Sequence, residues 1–256
     1  MKKAFFYLLI FASFEVSVHS QQLVLGNPSN ASADTNLPNN YLVVHKGFIL
    51  SYNRSRGAPN WVAWHLQSSD VGDTERSDFI SDDLLPASWR IKKSDYTGSG
   101  YDRGHMCPSK DRSDTEEANQ ECFVMSNMQP QTAQLNRNTW KDLEEFTRDT
   151  VKAGNEAYIY AGCYGNKGRI KSKVTIPAQC FKIILILPLG TNDLKRITVN
   201  TRMIAVIMPN RANIDSDWRK YLSSVDDIEA ATGFDFLSRV PKSVQTVLEK
   251  KKTVDQ

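Results

Sequence analysis

The sequence is short of the features that define fibrous, coiled-coil and membrane-spanning proteins. Its 13 glycines and 10 prolines follow no period, which excludes a collagen-like repeat, and no long heptad run indicates a coiled coil. After residue 20, no stretch is long enough and apolar enough to cross a bilayer. An excess of one charge is also lacking, because 32 Lys and Arg face 29 Asp and Glu for a net charge of +3. Overall charge therefore does not by itself establish nucleic-acid binding.

The composition is that of a folded globular protein. Of the 256 residues, 40% are hydrophobic and 24% are charged, so the chain can bury a core in one large domain or two small ones. No internal repeat or linker divides it, and strands and helices are mixed without strict alternation, which predicts a single α+β domain with a mixed central β-sheet and flanking helices. Hydrophobic periodicity predicts strands at Tyr41–His45, Gly47–Tyr52, Trp61–Leu66, Cys122–Met128, Ala157–Gly162, Val174–Ile176, Phe181–Pro188 and Thr198–Pro209, and helices at Leu135–Ala153, Asp217–Ser223 and Lys242–Lys252.

Residues 1–20 have the pattern of a cleavable signal peptide. Lys2 and Lys3 form a positive start, an apolar segment follows, and Val18 and Ser20 stand at the −3 and −1 positions of a cut before Gln21. We therefore expect a secreted or periplasmic protein with no stable membrane association, and an uncleaved anchor is the alternative. Residues 21–40 are polar and predict a loose lead-in, which leaves residues 41–256 as the folded domain.

Export changes the interpretation of the four cysteines. An oxidising compartment favours disulfides, and four cysteines allow three connectivities. Local pairing, Cys107 with Cys122 and Cys163 with Cys180, is the preferred prediction, while free buried thiols are the alternative. No C-x-x-C occurs, which argues against a zinc ribbon.

The unusual polar residues are concentrated in three segments, residues 98–112, 126–131 and 135–144. After signal removal the chain keeps His45, His65 and His105, and only His105 stands among an Arg, an Asp and glycines. A histidine pKa of about 6.5 suits proton abstraction near neutrality. His105 is thus the candidate general base, while His45 and His65 are expected to be packed or surface residues.

Asn136 and Glu144 are candidates for holding a metal ion. They are eight residues apart on the predicted helix, and at about 100° per residue both can line one broad face. An amide oxygen supplemented by water ligands suits Mg²⁺. The alternatives are a helix N-cap for Asn136 and a solvated face for Glu144.

The order of these motifs resembles the DNA/RNA non-specific endonuclease family, a ββα-metal or His-Me finger group that includes endonuclease G. The resemblance rests on D-R-G-H at Asp102–His105, on N-M-Q-P-Q at Asn127–Gln131 and on Asn136…Trp140…Leu143-Glu144. It continues at Thr201–Asn210 and at residues 225–236, and it spans about residues 41–249. It therefore implies a ββα-metal motif within the α+β fold.

The resemblance also implies a role for each candidate residue. His105 would activate water, Asn136 would be the one direct protein ligand of Mg²⁺, and Glu144 would hold metal-bound waters. Arg103 would support the phosphate, and Arg76 would stabilise the pentacoordinate phosphate, with Arg90 as its rival. Asn127 would orient the loop or the His105 ring, and Asp102 would be structural.

The implied function is a secreted Mg²⁺-dependent endonuclease that cuts both DNA and RNA and leaves 5′ phosphates. Mn²⁺ is a candidate substitute for Mg²⁺, and a homodimer and a protein inhibitor are candidate partners. The alternatives are a catalytically silent nucleic-acid-binding domain and a small-molecule phosphodiesterase on the same scaffold.

Overall fold

The structure is a computed structural model that describes residues 21–252. The predicted signal peptide, residues 1–20, lies outside the described residues. Within residues 21–252, no helix has the length and apolar character needed to cross a membrane.

A seven-stranded sheet forms the centre of the molecule, with the strand order β1-β2-β3-β6-β9-β10-β11. The α+β class is confirmed, but all pairings of this sheet are antiparallel, so the prediction of a mixed sheet is wrong in that respect. Two small sheets, β4-β5 and β7-β8, lie outside it. The strands are β1 Tyr41–Val44, β2 Ile49–Asn53, β3 Ala58–Leu66, β4 Asp102–His105, β5 Met128–Gln131, β6 Asn155–Tyr164, β7 Arg169–Ile170, β8 Val174–Thr175, β9 Gln179–Pro188, β10 Arg202–Pro209 and β11 Leu222–Ser223.

Among residues 21–252, five α-helices surround the sheet. They are α1 Glu116–Glu121, α2 Trp140–Lys152, α3 Asp193–Arg196, α4 Val225–Thr232 and α5 Lys242–Leu248. The predicted helix at Leu135–Ala153 is confirmed, and its first turn, Leu135–Thr139, is a π-helix. Single π turns within helices are frequent at functional sites.

The central strand β9 shows why the sheet is buried on both faces. Its residues alternate between two cores, since Ile184 and Ile186 join one cluster while Ile183 and Leu185 join the other. The first cluster lies under α2 and the second under α4 and α5. Because each fully buried Ile or Leu contributes about 1.5–3 kcal/mol, this strand anchors both layers.

Residues 21–40, predicted as a loose lead-in, contribute to the second core. Leu25 and Ala31 are buried in that cluster, and Gln22 Oε1 accepts a hydrogen bond from the backbone of His65. Because most of the segment is polar, its composition does not predict that these few side chains pack into the core.

Two predicted elements are wrong in detail. The strand at Cys122–Met128 is instead the end of α1 and a 3₁₀ turn at Met125–Asn127, and only Met128 begins a strand. The backbone amides of Cys122 and Phe123 donate hydrogen bonds to the carbonyls three residues earlier, so these residues form turns and their amides do not pair with a neighbouring strand. The helix at Asp217–Ser223 is a short 3₁₀ turn followed by β11.

One predicted disulfide forms and the other does not. Cys163 and Cys180 face each other across β6 and β9 and are bonded. Cys107 and Cys122 are free, buried thiols, so the prediction of a bond between them is wrong. The two thiols are neighbours that share a hydrogen bond, and burial raises the pKa of Cys107, which keeps its thiol protonated.

Gly104 within the D-R-G-H motif has no space for a side chain. A Cβ at this position would lie 2.0 Å from Gln131 Oε1 on the paired strand β5. Because Gln131 is fully buried, we expect Gly104→Ala to lower the free energy of unfolding by about 1–3 kcal/mol through overpacking. Urea denaturation measures this change, with Gln131→Ala and the double variant as controls. A double variant no more stable than Gly104→Ala would contradict the steric cause.

Candidate active site

A hairpin and a helix place the candidate residues around one cavity. β4 and β5 pair in antiparallel register, with His105 opposite Met128, and the chain then enters the π turn that precedes α2. This ββα arrangement is fixed to the main sheet through β5, because Gln129 donates to the carbonyl of Pro59 and Asn210 donates to that of Pro130. The hairpin is therefore rigidly placed.

The cavity has a volume of about 390 Å³. It brings together five of the six residues in the predicted site, and Asn127 is not among those that line it. Those five lining residues are Arg76, Arg103, His105, Asn136 and Glu144.

His105 is held in a form that accepts a proton. Its ring packs against Phe79 and Phe123, with ring centroids 5.5 Å and 4.8 Å away. Burial, and then the positive charge of Arg76, lower the pKa of His105 to about 3. The imidazole is therefore neutral at physiological pH. Nε2 is buried with no hydrogen-bond partner among residues 21–252, so Nδ1 is the nitrogen that is available to water.

The positive charge of Arg76 is one of the causes of the low pKa of His105, so its removal should change that pKa. We expect Arg76→Met to raise the pKa of His105, since one of the two causes of its depression is lost. Burial remains, so the new value should stay below about 6.5. An NMR pH titration of the His105 ring in metal-free protein measures it, with Arg90→Met as the control. An unchanged or lower pKa in Arg76→Met would contradict the assignment.

Asn136 is oriented by a pair of charged neighbours. Its Nδ2 donates to Asp102 Oδ2 at 3.0 Å, and Asp102 also accepts two hydrogen bonds from Arg137, at 2.8 Å and 2.7 Å. These contacts hold the pKa of Asp102 below its ordinary value, with Arg137 as the largest cause. The amide nitrogen is therefore engaged, which leaves the amide oxygen for a cation.

Glu144 belongs to a buried charged cluster that sequence reasoning missed in part. Lys182 Nζ lies 3.4 Å from Glu144 Oε1 and 4.3 Å from the ring centroid of Trp140. Arg148 follows one helical turn after Glu144, lines the cavity and pairs with Asp111 at 2.8 Å. Burial raises the pKa of Glu144, and the two cations oppose that rise.

The sequence did contain a signal for both missed residues. Lys182 is the one charged residue in the apolar run of β9, where an unpaired charge would be costly. Arg148 continues the four-residue spacing from Trp140 through Glu144, which marks the same helix face.

The two predicted arginines are held over aromatic rings. Arg103 Cζ lies 4.5 Å from the ring centroid of Phe79, and Arg76 Cζ lies 5.2 Å from that of Phe123. Arg90, the rival of Arg76, is outside the cavity and pairs with Asp83. The cavity therefore presents Arg76, Arg103 and Arg148 to an anion such as a phosphate.

Asn127 supports the site from within the protein. It is fully buried and accepts from the amide of Cys107, while its Nδ2 donates to the carbonyls of Cys107 and Cys122. It thus fixes the loop that follows His105, since its side-chain hydrogen bonds go to the backbone of Cys107 and Cys122. His45 and His65 are both buried and pair with Asp82 and Glu156.

The residues of the cavity fit a hard divalent cation. The amide oxygen of Asn136 and the carboxylate of Glu144 are oxygen donors, which Mg²⁺ prefers. The donor set around the cavity contains no thiolate and only one imidazole, so it does not match a zinc site.

The amino-acid sequence matches a known protein family and known nucleases. A family model described as DNA/RNA non-specific endonuclease matches residues 27–243. A nuclease from Nostoc sp. (strain PCC 7120 / SAG 25.82 / UTEX 2576) is 50% identical over 239 residues, which cover 92% of this chain and 86% of the relative. Human mitochondrial endonuclease G is 28% identical over 214 residues, or 76% of this chain and 69% of the relative.

A solved structure shares the fold. A chain in the crystal structure of the EndoG/EndoGI complex superposes with a TM-score of 0.75 at 24% identity. The superposition covers 91% of this chain and 97% of that chain.

Proposed function

Because the chain belongs to the DNA/RNA non-specific endonuclease family, a family of metal-dependent nucleic-acid hydrolases, we propose that it is a secreted Mg²⁺-dependent enzyme that cuts both DNA and RNA with little sequence preference. One observation carries the proposal: a neutral imidazole stands in a cavity lined by four arginines and an oriented amide oxygen. A phosphodiester is an anion, and its hydrolysis needs a base for water and positive charge on the phosphate.

His105 would perform the proton transfer. The lowered pKa keeps the ring neutral before the attack, and in the tautomer that carries its hydrogen on the buried Nε2, Nδ1 accepts a proton from the water that attacks phosphorus. Arg76 and Arg103 would bind the non-bridging oxygens as negative charge grows on them. Packing against Phe79 and Phe123 limits the rotation of these side chains, so little reorganisation is needed during the reaction.

Asn136 and Glu144 would hold the cation. Asp102 orients the Asn136 amide, while Lys182 and Arg148 fix the Glu144 carboxylate, which would hold metal-bound waters. When bound, Mg²⁺ supplies charge that stabilises the phosphate and the departing 3′ oxygen. The products would then carry a 5′ phosphate and a 3′ hydroxyl, and Mn²⁺ would be a candidate substitute.

Cleavage of both DNA and RNA is expected from the chemical character of the side chains that line the cavity. Its cationic side chains suit phosphate oxygens, which are common to DNA and RNA and carry no sequence information. Base readout in a duplex needs side chains directed into a groove, whereas His105, the cavity arginines and Asn136 would act on water, phosphate and the metal.

The proposal includes export and regulation by a protein. The predicted signal peptide supports secretion to the periplasm or the exterior, and mass spectrometry of the exported protein should find Gln21 at its N-terminus. The EndoG/EndoGI complex concerns inhibition of EndoG, which supports a protein inhibitor as a partner for this fold. The proposed homodimer is tested by sedimentation of the purified chain.

A panel of three substrates tests the proposed function against its alternatives. Mature protein with Mg²⁺ should cut supercoiled plasmid and single-stranded RNA, and end-labelling should find 5′ phosphates on both sets of products. Cleavage of a chromogenic phosphodiester without cleavage of either polymer would favour the small-molecule phosphodiesterase. Binding of both polymers with no cleavage would favour the silent binding domain.

A further inference from the structure

A strongly basic hairpin lies outside the catalytic cavity. It comprises residues 165–176, with β7 and β8 as its strands, and is called the basic hairpin below. It carries four exposed cations at alternate positions, Lys167, Arg169, Lys171 and Lys173. No Asp or Glu occurs between Glu156 and Asp193, so the hairpin has no acidic residue of its own. Such a surface is unexpected in a chain whose net charge is only +3.

The basic hairpin is attached to the same structural unit that carries His105. Its inward side chains, Ile170 and Val174, are buried in a small cluster with Met125 and Met128. Met128 is the residue paired with His105 across β4 and β5. The hairpin is thus anchored beside the catalytic hairpin, and its cations face outwards.

Lys167 and Arg169 have no carboxylate partner among residues 21–252, whereas Asp95 pairs with Lys173 and lies near enough to Lys171 for that charge to lower the Asp95 pKa. Lys167 and Lys171 donate to the backbone carbonyls of Asn210 and Ser94, at 2.9 Å and 2.7 Å. Arg169 donates to three backbone carbonyls and one threonine hydroxyl. Within residues 21–252, only Lys173 of the four pairs with a carboxylate, that of Asp95.

A fifth cation adds to the local repulsion. Burial lowers the pKa of Arg56, and the charge of Arg169 lowers it further. Like charges held close together are unfavourable, and a polyanion that binds there relieves the repulsion.

A series of contacts connects this surface with the catalytic cavity. Arg103 lies over Phe79 in the cavity wall, and the preceding residue Asp78 pairs with Lys93. The next residue after Lys93, Ser94, accepts the hydrogen bond from Lys171. Three cations, Arg103, Lys93 and Lys171, therefore lie along this series of contacts, and one of them, Lys93, is paired with Asp78.

We propose that the basic hairpin is a second phosphate-binding surface, which holds the nucleic-acid backbone several nucleotides away from the bond that is cut. This inference rests on the proposed function and extends it to a preference for longer substrates. A regular row of phosphates matches cations at alternate positions of a hairpin, and backbone contacts are compatible with both DNA and RNA.

The double variant Lys167→Gln/Lys171→Gln tests the proposal with little risk to the fold. Within the described part of the chain, residues 21–252, the hydrogen bonds of both lysines go to backbone carbonyls, and the glutamine amide keeps a donor for such an acceptor. The matched control is Lys152→Gln/Lys195→Gln, which removes two exposed lysines at the opposite ends of β6 and β9. Those ten-residue strands separate the two sites by about 30 Å.

Binding is measured by fluorescence anisotropy in EDTA, where cleavage cannot obscure it. For a 30-nucleotide DNA, we expect the hairpin variant to bind about tenfold more weakly near 0.1 M salt, and the slope of log K against log salt to fall by about two. A four-nucleotide DNA should bind both variants like the unaltered protein. The same affinity and slope for the 30-nucleotide DNA in the hairpin variant and in the control would overturn the proposal.

This result is separable from the fate of the proposed function. If the unaltered protein cuts nucleic acid and the hairpin variant binds normally, only the inference about the hairpin fails. If the hairpin variant loses affinity but the unaltered protein cuts nothing with any divalent metal, the hairpin inference is supported and the proposed catalysis fails.

Discussion

His105→Ala is expected to lower kcat by about 10²–10⁴-fold, the usual contribution of a positioned general base. Affinity for nucleic acid should change little, because Arg76, Arg103 and Arg148 remain in the cavity. Stability should fall only modestly, since the ring is partly exposed and its Nε2 has no hydrogen-bond partner to lose within residues 21–252. Single-turnover cleavage of a labelled oligonucleotide, with anisotropy in EDTA, measures the two effects separately.

Two controls distinguish a base from a structural residue. Added imidazole should partly restore cleavage by His105→Ala, because it can enter the vacated space and accept the proton. His65→Gln removes a buried histidine paired with Glu156, away from the cavity, so it should lower Tm without lowering kcat of the folded enzyme. Normal kcat in His105→Ala would exclude the general-base role.

Asn136→Ala is expected to raise the Mg²⁺ concentration needed for half-maximal activity by about 100-fold. Loss of a residue that only supports a metal ligand costs about 10–100-fold in metal affinity or activity. Because Asn136 would bind the metal directly, we expect an effect at the upper end of that range. The fold should persist, because Asp102 keeps its two hydrogen bonds to Arg137. Isothermal calorimetry with Mn²⁺ gives a readout that does not depend on turnover.

The matched control is Asn138→Ala in the same helical turn. Asn138 is exposed and donates only to the side chain of Gln134, at 3.0 Å. The Asn138→Ala variant should therefore bind the metal with unchanged affinity. Identical Mg²⁺ titration curves for Asn136→Ala and the unaltered protein would refute Asn136 as the ligand.

The part of the site that could be predicted is the part encoded locally. His105 ends a strand, and Asn136 and Glu144 lie on one helix eight residues apart, so sequence spacing fixes their relation. Lys182 was missed because it meets Glu144 through a contact between residues 38 positions apart, and no local pattern encodes such a contact.

The errors have a similar physical origin. The apolar residues from Cys122 to Met125 are buried, but an apolar run alone cannot distinguish a strand from a compact turn. Cys107 and Cys122 are neighbours, but they are not bonded as predicted. Their oxidation state depends on thiol chemistry and environment, which spacing does not determine.

One digestion experiment tests most directly whether the protein is a metal-dependent nuclease that cuts both DNA and RNA. Mature protein is incubated with supercoiled plasmid and with single-stranded RNA, each in Mg²⁺ and in EDTA. We predict cleavage of both polymers in Mg²⁺ and of neither in EDTA. Cleavage that persists in EDTA, or a folded protein that cuts neither polymer with any divalent metal, would contradict the assignment.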